Sequence, residues 1–202
     1  MKLSHLFQAG IAFSGLALSY ARLLTVPTTP FTRSSGHYSL HQVKQIIVDS
    51  RYADSVDNDG QTLIPPTLNQ FAETFKEDLK SSIGIDVSIS QAKQPTPDSI
   101  FITLQYSPDF KDVAGRQTSE GYKLDISNQG VVISGASPLG AWWGTRSLIQ
   151  TAVLEGLKLP QGFGVDAPGW GSRGAFVCHH PLHFKDRTDR WIAGRRTRIL
   201  PS

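Results

Sequence analysis

The chain has 202 residues, with 20 Lys and Arg against 17 Asp and Glu, a formal charge of +3, and 39% apolar and 18% charged residues. That composition can bury a core, which excludes wholesale disorder, and a single cysteine, Cys178, excludes an intramolecular disulfide framework and a multi-cysteine zinc site. A complete (β/α)8 barrel of roughly 250 residues cannot fit.

Met1-Lys2 gives a short positive start, and Leu6 to Ala21 is apolar with small residues. Ser19 and Ala21 suit the −3 and −1 positions of a signal-peptidase site. Residues 1–21 therefore read as a signal peptide cleaved near Ala21, and the protein as secreted; a buried N-terminal helix is the alternative. The run falls short of the about 20 apolar residues of a membrane span, and no other segment could cross a bilayer. No Asn-x-Ser/Thr acceptor occurs. Residues 22–39, rich in Pro, Thr and Ser, read as an extended leading segment.

Strands and helices are then expected in alternation. Lys44–Ser50 is a short apolar strand, and Asp54–Gly60 an acidic loop. Pro65-Pro66 opens a helix whose Leu68, Phe71, Ala72, Phe75 and Leu79 recur at spacings of three and four, with Gly84 as its stop. Ile85–Ser90, Ser99–Tyr106 and Gly121–Ser127 read as strands; Asn128 to Gly130 turns the chain into Val131–Ser134, the return strand of a hairpin. Ser137-Pro138 is an N-cap and first turn. A second helix runs to about Glu155, with Leu139, Trp142, Trp143, Ile149 and Val153 as its apolar side, and Gly156 stops it. The expected class is α+β: about five strands with two helices packed on one face.

This block shows no catalytic constellation. Asp86, Asp98, Asp109 and Asp125 fall at strand edges or turns, where Asp bonds the local backbone. Trp142 and Trp143 could stack on a sugar, but on a helix they read more readily as core. His179 and His183 have helical metal-ligand spacing, yet Pro181 lies between them and the Glu of a His-Glu-x-x-His site is missing, so no metal site is assigned. Residues 173–202 carry seven basic residues against Asp186 and Asp189, a net +5, leaving −2 for residues 1–172. No nucleic-acid-binding motif accompanies that basic stretch, so 185–202 reads as a solvated, disordered tail.

Two stretches are more specific. Ser119–Gln150 combines Glu120-Gly121-Tyr122 with a hairpin and then a helix opening Gly140-Ala141-x-x-Gly144. Asp166–Phe184 carries Asp166-x-Pro168 followed by Arg173-Gly174. Together, at this spacing, they resemble the glycoside hydrolase family 20 β-N-acetylhexosaminidases of the secreted fungal type, over roughly residues 40–178.

The resemblance implies a zincin-like α+β domain over 40–165, followed by the start of a catalytic barrel over 166–184. It implies removal of terminal N-acetylhexosamine from glycans or chitin oligosaccharides. The substrate's own acetamido oxygen attacks the anomeric carbon while an Asp-Glu pair orients and protonates. No metal or organic cofactor is implied, and full-length relatives are expected to be dimers. Arg173 alone matches a substrate-binding position, where its guanidinium would hydrogen-bond sugar hydroxyls.

The chain departs from the pattern too. It contains no Asp-Glu dipeptide, so no catalytic residue is assigned. Cys178 stands where an Asp is expected, and Pro181-Leu182 where Arg-His is expected. Gly174 to Val177 fits a first barrel strand of an incomplete barrel. Two readings follow: a hexosaminidase represented by its N-terminal domain in truncated form, or a non-catalytic secreted domain that packs against a partner.

Overall fold

The computed structural model describes residues 31–57, 65–167 and 169. They fall within a unit spanning Met1–Gly171; Ser172–Ser202 form a second unit that lies outside the described residues. The element order is β1 (Thr32–Ser39), β2 (Gln45–Asp49), α1 (Leu68–Ile83), β3 (Ser88–Ala92), β4 (Ser99–Leu104), β5 (Tyr122–Ser127), β6 (Gly130–Gly135), α2 (Pro138–Leu154) and β7 (Lys158–Asp166).

Local chemistry sets the helix ends. Thr67 Oγ1 accepts from the Gln70 N–H at 3.2 Å, and Gln70 Oε1 accepts from the Thr67 N–H at 2.9 Å, a reciprocal box that satisfies two orphan donors of α1. Gly84 ends α1 at φ 74°, a left-handed geometry that costs a residue with a Cβ about 1 kcal/mol or more. Ser137 Oγ accepts from the N–H groups of Leu139 and Gly140 at the start of α2, with Pro138 just inside it.

The seven strands form one sheet in the order β1-β7-β5-β6-β4-β2-β3. Strands β3, β2, β4 and β6 run parallel to one another, and β5, β7 and β1 continue antiparallel from β6. Register places Ile46, Ile100 and Val131 side by side, then Val48, Ile102 and Ile133. Leu124 and Ile126 of β5 extend those two rows. This face meets Leu68, Phe75 and Leu79 of α1 and Ala141, Leu148 and Ala152 of α2 in a single buried cluster. Both helices thus cover the same side of the sheet, the architecture expected for an α+β domain.

Three details differ from the sequence reading. There are seven strands rather than five, because Thr32–Ser39, read as part of an extended leading segment, is β1, and Lys158–Asp166, not read as a strand, is β7. The buried side of α2 is also different. It presents Gly140, Ala141, Gly144, Thr145, Ser147, Leu148, Thr151 and Ala152, whereas Val153 is 58% exposed. Small residues let the helix axis approach the sheet closely, so the large side chains move to its flanks. The expected barrel strand at Gly174–Val177 lies outside the described residues, as do residues 1–21 and 185–202.

Tyr38 is the buried anchor of β1, paired across to Leu159 of β7. Burial, with the Asp98 carboxylate adding to it, pushes its phenol up to about 12. Its hydroxyl has no hydrogen-bond partner among the described residues. An unsatisfied buried hydroxyl costs about 1–3 kcal/mol, so Tyr38→Phe is expected to raise the unfolding free energy by about 1 kcal/mol. Urea titration checks this, and a loss of stability would contradict it.

Candidate functional site

Of the residues that carried the resemblance, the described ones converge on one end of the sheet. Tyr122 begins β5 with its side chain on the helix-covered face, where its ring lies beneath α2. A Cβ on Gly144 would stand 2.5 Å from Ile133 Cγ2 and 3.2 Å from the Tyr122 ring. Glycine at 144 is therefore what lets α2 settle on the tyrosine. One helical turn on, Ser147 Oγ lies 2.5 Å from the Tyr122 hydroxyl. The same hydroxyl donates to Asp166 Oδ2 at 3.0 Å.

Asp166 is the last residue of β7, opposite Tyr122 in the β5–β7 ladder. The chain Ser147–Tyr122–Asp166 is buried and joins α2, β5 and β7. A buried carboxylate is tolerated only when hydrogen-bonded, so this network fixes the place where β7 ends. The stretch before Tyr122 is held just as closely. Glu120 Oε2 accepts from Trp143 Nε1 at 3.0 Å. The Gly121 carbonyl accepts from the Ala136 N–H at 2.8 Å.

The two tryptophans are half-buried fasteners. Trp142 stacks on Phe71 of α1 with ring centroids 5.1 Å apart, and the Arg146 guanidinium lies 3.7 Å above its ring. Arg146 also reaches Asp78 of α1 at 2.5 Å. Desolvation lowers the pKa of Arg146, against the pull of Asp78. Neither indole is presented as an open sugar platform.

The remaining buried carboxylates have structural partners as well. Asp57 Oδ2 lies 3.0 Å from Ser137 Oγ, at the start of α2. Asp49, at the end of β2, takes a hydrogen bond from Thr103 Oγ1 at 2.6 Å and two from Arg51, at 3.0 and 2.6 Å. Burial pushes the Asp49 carboxyl up, but the bonds from Arg51 and Thr103 outweigh it and hold it below the usual carboxylate range. A depressed folded value means the stabilisation is complete above the unfolded value of about 4 and is lost as pH falls through the folded value. Asp49→Asn is expected to weaken the fold at neutral pH and to flatten its acid limb. Unfolding measured from about pH 2 to 7 checks this; identical pH slopes for the two proteins would refute it.

Asp86, Asp98 and Asp125 sit in lysine ion pairs with Lys80, Lys44 and Lys123. Asp109 lies in the loop after β4, where its N–H donates to Ser107 Oγ at 3.2 Å. Among the described residues no group of His, Cys, Asp and Glu is arranged to hold a metal ion. Arg173, the expected sugar-binding residue, lies outside the described residues, as do Cys178, His179 and His183. The structure thus gathers Glu120, Tyr122, Gly140, Gly144 and Asp166 into one packed unit. Ser147, three residues after Gly144 in the same Ser119–Gln150 stretch, completes it.

The chain is similar to two known proteins, a solved structure and a family model. The sequence is 35% identical over 123 residues to the lacto-N-biosidase of Bifidobacterium bifidum, covering 60% of this chain and 10% of that protein. It is 28% identical over 147 residues to the beta-hexosaminidase of Porphyromonas gingivalis, covering 66% of this chain and 18% of that protein. The chain therefore spans a tenth to a fifth of the length of these relatives. Among solved structures, the GH20 beta-N-acetylhexosaminidase from Streptomyces coelicolor superposes with a TM-score of 0.48 at 19% identity, over 74% of this chain and 27% of that one. The family model described as "Glycosyl hydrolase family 20, domain 2" matches residues 32–166, from the first residue of β1 to the last of β7. A match over more than half of the chain makes it a member of glycosyl hydrolase family 20, carrying that family's domain 2.

Proposed function

We propose that this chain supplies the α+β domain of a secreted β-N-acetylhexosaminidase, and that hydrolysis of terminal N-acetylhexosamine requires a catalytic barrel in addition to it. One observation carries this reading: the family match ends at Asp166, the residue that the Tyr122–Ser147 network ties to both α2 and β5. A domain with its outgoing strand clamped in this way is suited to hold a following catalytic unit in a fixed orientation. Arg173, seven positions further on, is proposed to bind sugar hydroxyls in that unit.

The chain by itself is proposed to be non-catalytic. It has no Asp-Glu pair, and general acid catalysis alone contributes roughly 10²–10⁴-fold. Purified chain recovered from the secreted fraction, with its N-terminus near Arg22, is expected to leave an aryl N-acetyl-β-glucosaminide unhydrolysed above background. Turnover that disappears in Arg173→Ala would overturn the non-catalytic reading. Retention of Met1 in secreted material would overturn the signal peptide.

A further inference from the structure

A second region of the sheet has the form of a ligand site and plays no part in the network around Asp166. Strands β2 and β4 are parallel neighbours whose connections leave in opposite directions. From β2 the chain crosses through α1 to β3 on the outer side, whereas from β4 it passes to the β5–β6 hairpin on the other side. A cleft of about 430 Å³ lies beyond the carboxyl ends of these two strands. It is lined by Tyr52 and Ser55 after β2, Gln105, Tyr106 and Gln117 after β4, and Ser137 before α2. Its volume falls within the roughly 300–1,000 Å³ typical of small-molecule sites.

The lining chemistry narrows the ligand. Among the described residues no Lys, Arg, His, Asp or Glu lines the cleft. The N-terminus of α2 opens beside it and would ordinarily favour an anion. Here Ser137 Oγ already accepts from the Leu139 and Gly140 N–H groups, and the Asp57 carboxylate lies 3.0 Å from that oxygen. The buried Asp57 carboxylate behind Ser137 thus offsets the positive end of α2, so the cleft favours neither sign of charge.

What remains are apolar and aromatic faces, with Val56, Leu104, Phe110 and Pro138 beside the tyrosines, and neutral hydrogen-bonding groups. Tyr106 is 78% exposed, the largest exposure of any bulky apolar side chain among the described residues. Tyr52 is steadied by the Arg51 guanidinium, 5.4 Å from its ring centre and itself paired to Asp49. Gln105, Gln117 and the serines offer donors and acceptors without charge. A pyranose ring matches this set, with an apolar C–H face for a tyrosine and a rim of hydroxyls for amides and hydroxyls.

We propose that this cleft is a binding site for a neutral saccharide, with Tyr106 as its stacking platform. The binding does not require hydrolysis, so it is measured independently of the proposed activity. Saturation-transfer NMR on the full chain with chitotriose and cellotriose is the test, with a sulfated disaccharide as the charged comparison. Transfer to at least one neutral saccharide is expected, weakened about tenfold by Tyr106→Ala and retained by Tyr106→Phe. The exposed position of Tyr106 means the unfolding midpoint should not move in either variant. Absence of transfer to both neutral saccharides would overturn the proposal, as would transfer unaffected by Tyr106→Ala or a preference for the sulfated sugar. None of these outcomes depends on whether an aryl glycoside is cleaved.

Discussion

Phe75→Ala is expected to lower the unfolding free energy by about 3–5 kcal/mol. Phe75 is fully buried at the centre of α1, in the cluster shared with Leu79, Ile46 and Ile100. Truncation removes the transfer free energy of a large aromatic group and leaves a cavity that cannot collapse easily. One wall is a regular helix with both ends capped, and the other is a strand ladder in fixed register. Domains of this size have a total stability of about 5–15 kcal/mol, so the loss is about a fifth or more of the whole. Urea titration with an unchanged slope would show it as a shift in midpoint alone. A loss below about 1 kcal/mol would mean that the residue is not packed as described.

Gly140→Ala is expected to destabilise the domain even though it improves helix propensity. Alanine within a helix gains about 1 kcal/mol over glycine. Against that gain, the added Cβ would collide with the Gly121 carbonyl oxygen and stand 2.9 Å from the Ser119 carbonyl oxygen. Both obstacles are backbone, and neither can rotate aside as a side chain could. Overpacking of this sort costs about 1–3 kcal/mol, and two backbone obstacles put it at the upper end, so a net loss of up to about 2 kcal/mol is expected. The strain falls on the segment leading into Tyr122, so hydrogen exchange should accelerate first in β5 and β7. A stabilised variant, or exchange altered only in α1, would contradict this account.

The parts of the fold that were legible in the sequence are those fixed by neighbours along the chain. The cap at Ser137, the stop at Gly84 and the turn that begins at Asn128 each act within a few residues, and the elements they bound lie close to where the pattern puts them. Strands β1 and β7 were not legible, because their pairing owes little to apolar alternation. Thr32 to Gly36 of β1 are exposed, and β7 contains Pro160, Gly162 and Gly164. Each is held mainly by the other and by β5, contacts far apart in sequence.

The packed side of α2 was misread for a related reason. Hydrophobicity pointed to the tryptophans, but close approach to the sheet selects the small residues recurring at three and four, from Gly140 and Ala141 to Thr151 and Ala152. Of the candidate site, Glu120, Tyr122 and Asp166 were present in motifs, but their joining through Ser147 is a tertiary fact. No local pattern reports it.

The pairing of β1 with β7 has a topological consequence. Thr32, the first residue of β1, lies directly across from Phe163, three residues before β7 ends. Cross-strand partners are separated by about 5 Å, so the polypeptide reaches this fold and departs from it at nearly the same point. A unit with such adjoining ends can be spliced into a host protein, or removed from one, without rerouting the chain on either side. It also suits circular permutation, since a short linker would bridge the two ends and new termini could be opened at an exposed turn such as Asn128-Gln129.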